Sequence, residues 1–179
     1  MRIYHLPKWQ DTLTLQTQPT GIDGIYFGRE FILKNENNDV MIEADSKWVI
    51  INKETQRPLT KVEEQYHHLL TNSKLVATEF ARLKEKKELS YSSLQDVANS
   101  DIDLHHHVNN AVFIRWIEDL LAKSEQSEIA SFSIQFLKEV KEGEKVIINH
   151  SGFGEDLVCF EGLIAGSDVH CFRVEVERK

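Results

Sequence analysis

Hydrophobic and polar side chains alternate along the first 50 residues of the chain. This alternation predicts three strands, over residues 11–17, 25–33 and 40–50. Polar turns, at 20–24 and 35–39, separate the strands. Because consecutive strands are joined by short turns, the pattern predicts an antiparallel meander with one apolar face and one face in water.

The period of the pattern changes after residue 60. Apolar residues recur at helical spacing over 61–70, which predicts a helix. A charged stretch, 81–88, then reads as the connection between two halves of the chain. We therefore expect two domains, 1–75 and 76–179.

The second half has a different order of elements. A strand is predicted over 89–97, and Asn109 or Asn110 is a suitable N-cap for the helix that follows. That helix has a wide apolar stripe, typical of a helix covered on most of its circumference. The stripe consists of Val112, Phe113, Trp116, Ile117, Leu120 and Leu121. Four more strands are predicted, over 130–140, 145–150, 157–164 and 169–176.

One strand, one buried helix and four antiparallel strands predict an α+β fold in which the sheet curls around the helix. This is the hotdog arrangement. We therefore expect one complete C-terminal hotdog unit, preceded by a partial N-terminal hotdog unit that lacks its first strand and central helix.

Composition argues against three classes of protein: those that bind nucleic acid, those that span a membrane and those built on disulfide bonds. The 179 residues carry a net charge of −8 without a stretch dense in Lys or Arg, which argues against nucleic acid as a partner. The chain has no apolar run of about 18 residues, so no membrane segment is predicted, and the first ten residues lack the features of a signal or transit peptide. Cys159 and Cys171 are too few for a disulfide framework. We expect a soluble protein of the cytoplasm.

The densest cluster of polar residues, 101–110, lies at the start of the buried helix. In an extended segment Asp103, His105 and His107 would project to the same side. A carboxylate close to an imidazole can hold its tautomer, and the first N–H groups of a helix can stabilise an oxyanion. The pattern is typical of acyl transfer or hydrolysis.

Other interpretations of this cluster stay open. Its Asp and Asn side chains can serve only as helix caps, with the histidines in a solvated turn. Alternatively, Asp103, His105 and His107 are all legal metal ligands, although three histidines in a row cannot converge on one ion without distortion. His67 and His68, on the helix predicted at 61–70, are expected to be exposed and without a chemical role.

No nucleophile stands out in the sequence. The chain has no G-x-S-x-G motif, and Cys159 is expected to be a small buried thiol in the middle of a strand. A base that activates water is therefore expected in place of covalent catalysis.

Three blocks of residues resemble the acyl-acyl carrier protein (acyl-ACP) thioesterases, a family that hydrolyses fatty acyl thioesters. The first block combines residues 7–11 with 21–30, and the second is 44–58. The third and most specific combines Ser-Asp-Ile-Asp at 100–103 with His-Val-Asn-Asn at 107–110 and the helix that contains Trp116. The resemblance covers nearly the whole chain and implies two hotdog units in tandem.

The resemblance also implies a set of catalytic residues. By position it makes Asp103 and His107 catalytic, and it points to Glu139 as the acidic partner that activates water. His105 stands where the family usually has Asn, in a position that polarises or orients the thioester carbonyl. Val140 stands where plant members have Cys, which favours the route through Glu139 and water.

Glu139 conflicts with the strand pattern. Phe132, Ile134 and Phe136 are predicted to face inward, so strict alternation turns Glu139 to the other side. A meeting of Glu139 with His107 therefore requires a bulge or twist after Phe136.

The expected function is release of free fatty acid from acyl-ACP in fatty acid biosynthesis, with no cofactor or metal. Two other classes stay open: an acyl-CoA thioesterase, and a non-catalytic acyl-binding remnant of a truncated enzyme.

Acyl carrier proteins are acidic, so docking on this acidic chain needs a local basic patch. The candidates are Lys53, Arg57, Lys61, Lys84, Lys86 and Lys87. The uncovered meander further predicts a homodimer.

Overall fold

The computed structural model describes residues 1–52, 54–55, 57–59, 82–86, 88–122 and 128–179. The chain divides into two units, Met1–Ala81 and Arg82–Lys179. The helix predicted at 61–70 and the domain boundary predicted at 75/76 lie outside the described residues.

The first unit is an antiparallel sheet. Its strands are β1 (Arg2–Ile3), β2 (Thr14–Asp23), β3 (Tyr26–Lys34) and β4 (Val40–Val49), in the spatial order β2-β3-β4-β1. The predicted meander is confirmed. The turn after β3 is closed by Asn35, whose side chain accepts hydrogen bonds from the main chain of Asn37 and Asp39.

The turn predicted at 20–24 is wrong, because β2 continues to Asp23 and the chain reverses at Gly24. The ladder between β2 and β3 shifts register between Pro19 and Gly21. Gly21 has a φ of 109°, a conformation that suits a bulge and that other residues rarely adopt. This glycine therefore marks an irregularity within a strand.

One face of the meander is apolar and partly exposed. Pairing places Leu15, Leu33 and Ile42 on the same face, and Ile22, Phe27 and Trp48 as well. The side chains of Leu15 and Trp48 are 62% and 55% exposed. In the described part of this unit no helix covers the face.

The second unit is a five-stranded sheet with one long helix. Its strands are β5 (Tyr91–Asp96), β6 (Ile129–Phe136), β7 (Lys145–His150), β8 (Leu157–Ile164) and β9 (His170–Arg178), in the order β6-β9-β8-β7-β5. The helix α1 (Asn110–Leu121) follows a single 3-10 turn, Asn99–Asp101. The predicted elements are present, but β6 ends at Phe136 instead of Val140.

The core of this unit lies between α1 and the concave face of the sheet. All six residues of the predicted apolar stripe are buried, and inward-facing valines of β7, β8 and β9 pack against them. Phe113 contacts the rings of Trp116 and Phe172, each with ring centroids 5.2 Å apart. Burial of one large apolar side chain contributes about 1.5–3 kcal/mol, so this stripe fixes the position of α1 on the sheet.

The described helices include none that is long and apolar enough to cross a membrane.

Candidate active site

Residues 101–109 form a small hairpin before α1. The N–H of Asp103 donates to the carbonyl of His107, and the N–H of Asn109 donates to the carbonyl of Asp101, both at 2.9 Å. Ile102 and Val108 pair between these two rungs. The expected extended segment is therefore wrong, because the chain reverses between Asp103 and His107.

The carboxylate of Asp103 braces the tip of this hairpin. Its Oδ1 accepts hydrogen bonds from the main-chain N–H of His105 at 2.8 Å and of His107 at 3.4 Å. The hydrogen bond from His105 is the main cause that holds the pKa of Asp103 below its usual value. His106, at the tip, has a φ of 62°, in the left-handed region that non-glycine residues seldom adopt. Asp103 thus holds a tight turn and contacts the main chain of His107.

The imidazole of His107 meets Glu139. His107 Nε2 lies 3.1 Å from Glu139 Oε2. The two side chains are 27% and 60% exposed, so water reaches the pair. The main chains also meet here, since the N–H of Val108 donates to the carbonyl of Val140 at 2.8 Å and His107 pairs with Lys141.

An irregularity after β6 turns Glu139 towards His107. The N–H groups of Leu137 and Lys138 both donate to the carbonyl of Cys171, at 2.8 and 3.2 Å. Two residues thus share one acceptor on β9, which is the pattern of a bulge. The extra residue reverses the parity of the strand, as required for the meeting of Glu139 with His107.

His105 lies apart from this pair. It is exposed at the hairpin tip, and its main-chain N–H bonds to Asp103. Of the four predicted catalytic residues, Asp103 bonds to the main chain of both His105 and His107, and only His107 also contacts Glu139 through its imidazole. The imidazole of His105 is free to meet a ligand from solvent.

The hairpin leads directly into the N-terminus of α1. Asn109 is the N-cap, and its Oδ1 accepts a hydrogen bond from the N–H of Ala111 at 2.9 Å. The predicted cap is confirmed. The positive end of the helix dipole therefore begins three residues after His107 in the chain, and a helix N-terminus favours developing negative charge.

Asp101 and Arg115 were not among the site residues predicted from the sequence. The Asp101 side chain is 2% exposed, and its Oδ1 forms an ion pair with Arg115 Nη2. Its Oδ2 accepts a hydrogen bond from the N–H of Ala98 at 2.9 Å. The sequence did contain an indication of a special role for Arg115, since it is the one charged residue in the apolar run 111–117.

Neither thiol is suited to act as a nucleophile. Burial raises the pKa of Cys159, and it raises that of Cys171 to about 12. His170 precedes Cys171, but its Nδ1 lies 3.3 Å from Glu161 Oε2. Within the described residues, no group of three or more His, Cys, Asp or Glu side chains converges as a metal site.

Two family models match the chain. The acyl-ACP thioesterase N-terminal domain matches residues 1–70, and the acyl-ACP thioesterase C-terminal domain matches residues 83–175. The chain belongs to the acyl-ACP thioesterase family. The resemblance of the three sequence blocks is confirmed.

Curated acyl-ACP thioesterases match most of this chain at low identity. The chloroplastic oleoyl-acyl carrier protein thioesterase of Coriandrum sativum is 27% identical over 161 residues, which are 82% of this chain and 43% of the relative. The chloroplastic acyl-[acyl-carrier-protein] hydrolase FATB2 of Cuphea viscosissima is 25% identical over 74% of this chain and 35% of its own length. The chain therefore spans less than half of these curated relatives.

Solved structures share the fold. An acyl-ACP thioesterase from Bacteroides thetaiotaomicron superposes with a TM-score of 0.84 at 20% identity, over 99% of this chain and 73% of that one. The 12:0-ACP thioesterase from Umbellularia californica gives 0.80 at 17% identity, over 99% of this chain and 72% of that one. The predicted α+β hotdog fold is confirmed.

Proposed function

We propose that this member of the acyl-ACP thioesterase family hydrolyses acyl-ACP and releases a free fatty acid, as a step of fatty acid biosynthesis. The observation that carries the proposal is the contact of 3.1 Å between His107 Nε2 and Glu139 Oε2, beside the N-terminus of a buried helix. An acid, an imidazole and a helix N-terminus together supply a base and a place for an oxyanion.

In the proposed reaction Glu139 activates water. Its carboxylate accepts a proton as the water oxygen attacks the thioester carbonyl carbon, and negative charge moves to the carbonyl oxygen. The carbon–sulfur bond then breaks, and the thiolate of the carrier's pantetheine arm takes back a proton to leave as a thiol. The buried, protonated thiols of Cys159 and Cys171 agree with a route without a covalent intermediate.

The histidines and Asp103 have distinct roles in this proposal. His107 orients the carboxylate of Glu139, and Asp103 holds the turn that carries His107. His105, exposed at the hairpin tip, donates a hydrogen bond to the thioester carbonyl in the place of the family's usual Asn. The reaction needs no metal or cofactor.

Turnover of matched substrates tests the proposal. The purified chain is given the same acyl group on a carrier protein and on coenzyme A, and the free acid is measured. We expect faster release from acyl-ACP. Release from acyl-CoA alone would assign an acyl-CoA thioesterase, and binding without release from either substrate would assign an acyl-binding protein.

The proposed partner is an acidic carrier protein, which needs basic residues to dock. Of the six candidates, Arg57 and Lys84 are exposed, while Lys53, Lys61 and Lys87 lie outside the described residues. Lys86 Nζ lies 3.0 Å from Glu175 Oε1, and this hydrogen bond raises the pKa of Lys86. Because Lys86 is engaged within the protein, we set it aside, and among the described candidates we retain Arg57 and Lys84 as docking residues; Lys53, Lys61 and Lys87 stay candidates.

A second copy of the chain is the proposed cover for the apolar face of the meander. The face includes exposed Leu15 and Trp48, and apolar patches of this kind rarely stay open to water.

The cytoplasmic location remains our proposal, on the basis of the two free cysteines. The plant relatives, by contrast, are named chloroplastic.

A further inference from the structure

Asp101, the first residue of the proposed catalytic hairpin, has a buried carboxylate that the proposed reaction does not use. Its side chain is 2% exposed, whereas its partner Arg115 is 53% exposed. We propose that Asp101 and Arg115 form a positioning pair that sets the distance between His107 and Glu139. The kinetic test of this inference rests on the proposed function, whereas the NMR signal of His107 tests it independently of that function.

Asp101 holds both ends of the hairpin. Its Oδ2 accepts from the N–H of Ala98 before the hairpin, and its carbonyl accepts from the N–H of Asn109 at the helix cap. The remaining oxygen, Oδ1, pairs with Arg115 on α1. One residue thus ties the entry, the exit and the adjoining helix together.

Arg115 gives this junction a fixed reference. The next two residues along α1, Trp116 and Ile117, are fully buried in the core. Tight packing leaves the helix little freedom to move, so the Cα of Arg115 is fixed relative to the sheet. The ion pair therefore joins the base of the hairpin to the most rigid part of the unit.

The hairpin transmits the position of its base to His107. From Asp101 to the tip, the rungs are Asp101–Asn109, Ile102–Val108 and Asp103–His107. Val108 and His107 in turn pair with the segment that carries Glu139. A tilt at the base therefore changes the separation of Nε2 and Oε2, and a misplacement of about 1 Å in an active site can cost about 100-fold in rate.

Charge explains why the pair needs both partners. A buried carboxylate is stable only with a cation or hydrogen-bond donors, and Arg115 supplies the cation. Without it, the buried carboxylate of Asp101 has lost its charged partner, and the junction loosens. The consequence reaches His107, although Arg115 does not contact His107.

The test compares three substitutions in the full chain. Arg115→Gln removes the cation, Arg115→Lys keeps it, and Asp101→Asn keeps an oxygen acceptor without the charge. The matched control is Lys179→Gln, which breaks the ion pair of Lys179 with Glu128 in the same unit, at the end of β6 opposite to Glu139. The measurements are kcat and KM on acyl-ACP, and the imidazole NMR signals of His107, assigned with His107→Ala.

We expect Arg115→Gln to lower kcat about 10–100-fold, with KM within about twofold and a shifted His107 signal. Arg115→Lys should keep most of kcat and the native signal, and Lys179→Gln should change neither. Asp101→Asn should act like Arg115→Gln. If Asp101→Asn fails to fold, Arg115→Gln still tests the inference, because the side chain of Arg115 is half-exposed.

Two results overturn the inference. One is a native kcat and a native His107 signal in folded Arg115→Gln. The other is a loss of kcat with the His107 signal unmoved, since the effect then does not pass through the hairpin. A wild-type chain without thioesterase activity would refute the proposed function alone, because the His107 signal still tests the positioning pair.

Discussion

At the scale of single residues, replacement of Glu139 should lower the rate of the proposed reaction without changing the fold. Glu139→Gln keeps the size of the side chain and its exposed position, so the fold should persist. Loss of a general base lowers turnover typically by about 100-fold or more, and we expect that effect on kcat for acyl-ACP. The measurement is steady-state turnover, with unfolding followed by circular dichroism.

Glu142→Gln is the matched control for this prediction. Glu142 is exposed three residues further along the same segment and is not assigned a role in the reaction. Its replacement should leave kcat unchanged. Native activity in Glu139→Gln would exclude water activation by this carboxylate.

Asp103 gives the hairpin tip a dependence on pH. The hydrogen bond from His105 holds the pKa of Asp103 below its usual value of 3.8, so the native state binds this proton less tightly than the unfolded chain does. The stabilisation is therefore present above pH 3.8 and is lost as the pH falls through the native pKa. We expect the step in the amide NMR signals of His105 and His107 that depends on Asp103 to have its midpoint below pH 3.8.

Asp103→Asn provides the comparison for the tip. The amide oxygen still accepts from His105, but it does not titrate, so this step in the NMR titration should vanish. The variant should also lose turnover, and less than additively with Glu139→Gln if the two residues act as one unit. If the step that Asp103→Asn abolishes has its midpoint above pH 3.8 in the wild type, the assigned hydrogen bonds are contradicted.

At the scale of elements, the neighbouring strands β8 and β9 meet closely at Gly162, which pairs with Phe172. A Cβ atom there would lie 2.2 Å from Cε1 of Phe172, whose ring is fully buried. Gly162→Ala should therefore lower the free energy of unfolding by about 1–3 kcal/mol, the usual cost of overpacking. Because Phe172 also contacts Phe113 near the start of α1, activity should fall as well.

Gly154→Ala is the control in the denaturant unfolding experiment. A Cβ at Gly154 meets no atom within 4 Å, and this glycine does not have a positive φ. Its replacement should leave the free energy of unfolding unchanged or raise it by up to about 1 kcal/mol. Equal effects at the two glycines would contradict the packing argument.

The elements that could be predicted from the sequence are those with several turns or several alternations. The buried stripe and the cap at Asn109 located α1, and β7 and β8 have the predicted bounds. The two-residue strand β1 was missed, because two residues show no period. The end of β2 was misjudged because a glycine bulge and a glycine turn look alike in sequence.

The site was less accessible to sequence reasoning. The hairpin at 101–109 is held by main-chain hydrogen bonds and by Asp side chains, which leave no hydrophobic period. Its partner segment, 140–141, lies more than 30 residues away along the chain. The alternation of β6 argued against Glu139, and only the family resemblance pointed to it.

At the scale of the whole molecule, charge should separate the two acyl carriers. Reversing both retained docking residues, Arg57→Glu with Lys84→Glu, should raise KM for acyl-ACP about 3–10-fold by weakening association with an acidic partner. KM for the same acyl group on coenzyme A should not change. Arg2→Glu with Lys8→Glu, the same charge change at two other exposed residues, is the control, and equal effects on both substrates would exclude docking at Arg57 and Lys84.

Association of two chains is measurable by light scattering. Burial of an exposed side chain as large as Leu15 or Trp48 contributes about 1.5–3 kcal/mol, so we expect a dimer at micromolar concentration. Leu15→Lys with Trp48→Lys should give a monomer. Gln16→Lys, on the opposite face of β2, should leave the dimer intact. A monomeric wild type that binds little hydrophobic dye would show that the face is covered from within.

The bulge at Leu137 and Lys138 restricts how the length of this segment can change. Both residues share the carbonyl of Cys171, and this surplus residue is what brings Glu139 to His107. Substitution of either side chain leaves the count of residues intact, whereas deletion of one restores regular pairing and turns Glu139 to the opposite face. Homologues that keep both His107 and Glu139 should therefore tolerate varied side chains at 137–138 but no single-residue gap, which makes this short segment a dependable anchor when their sequences are aligned.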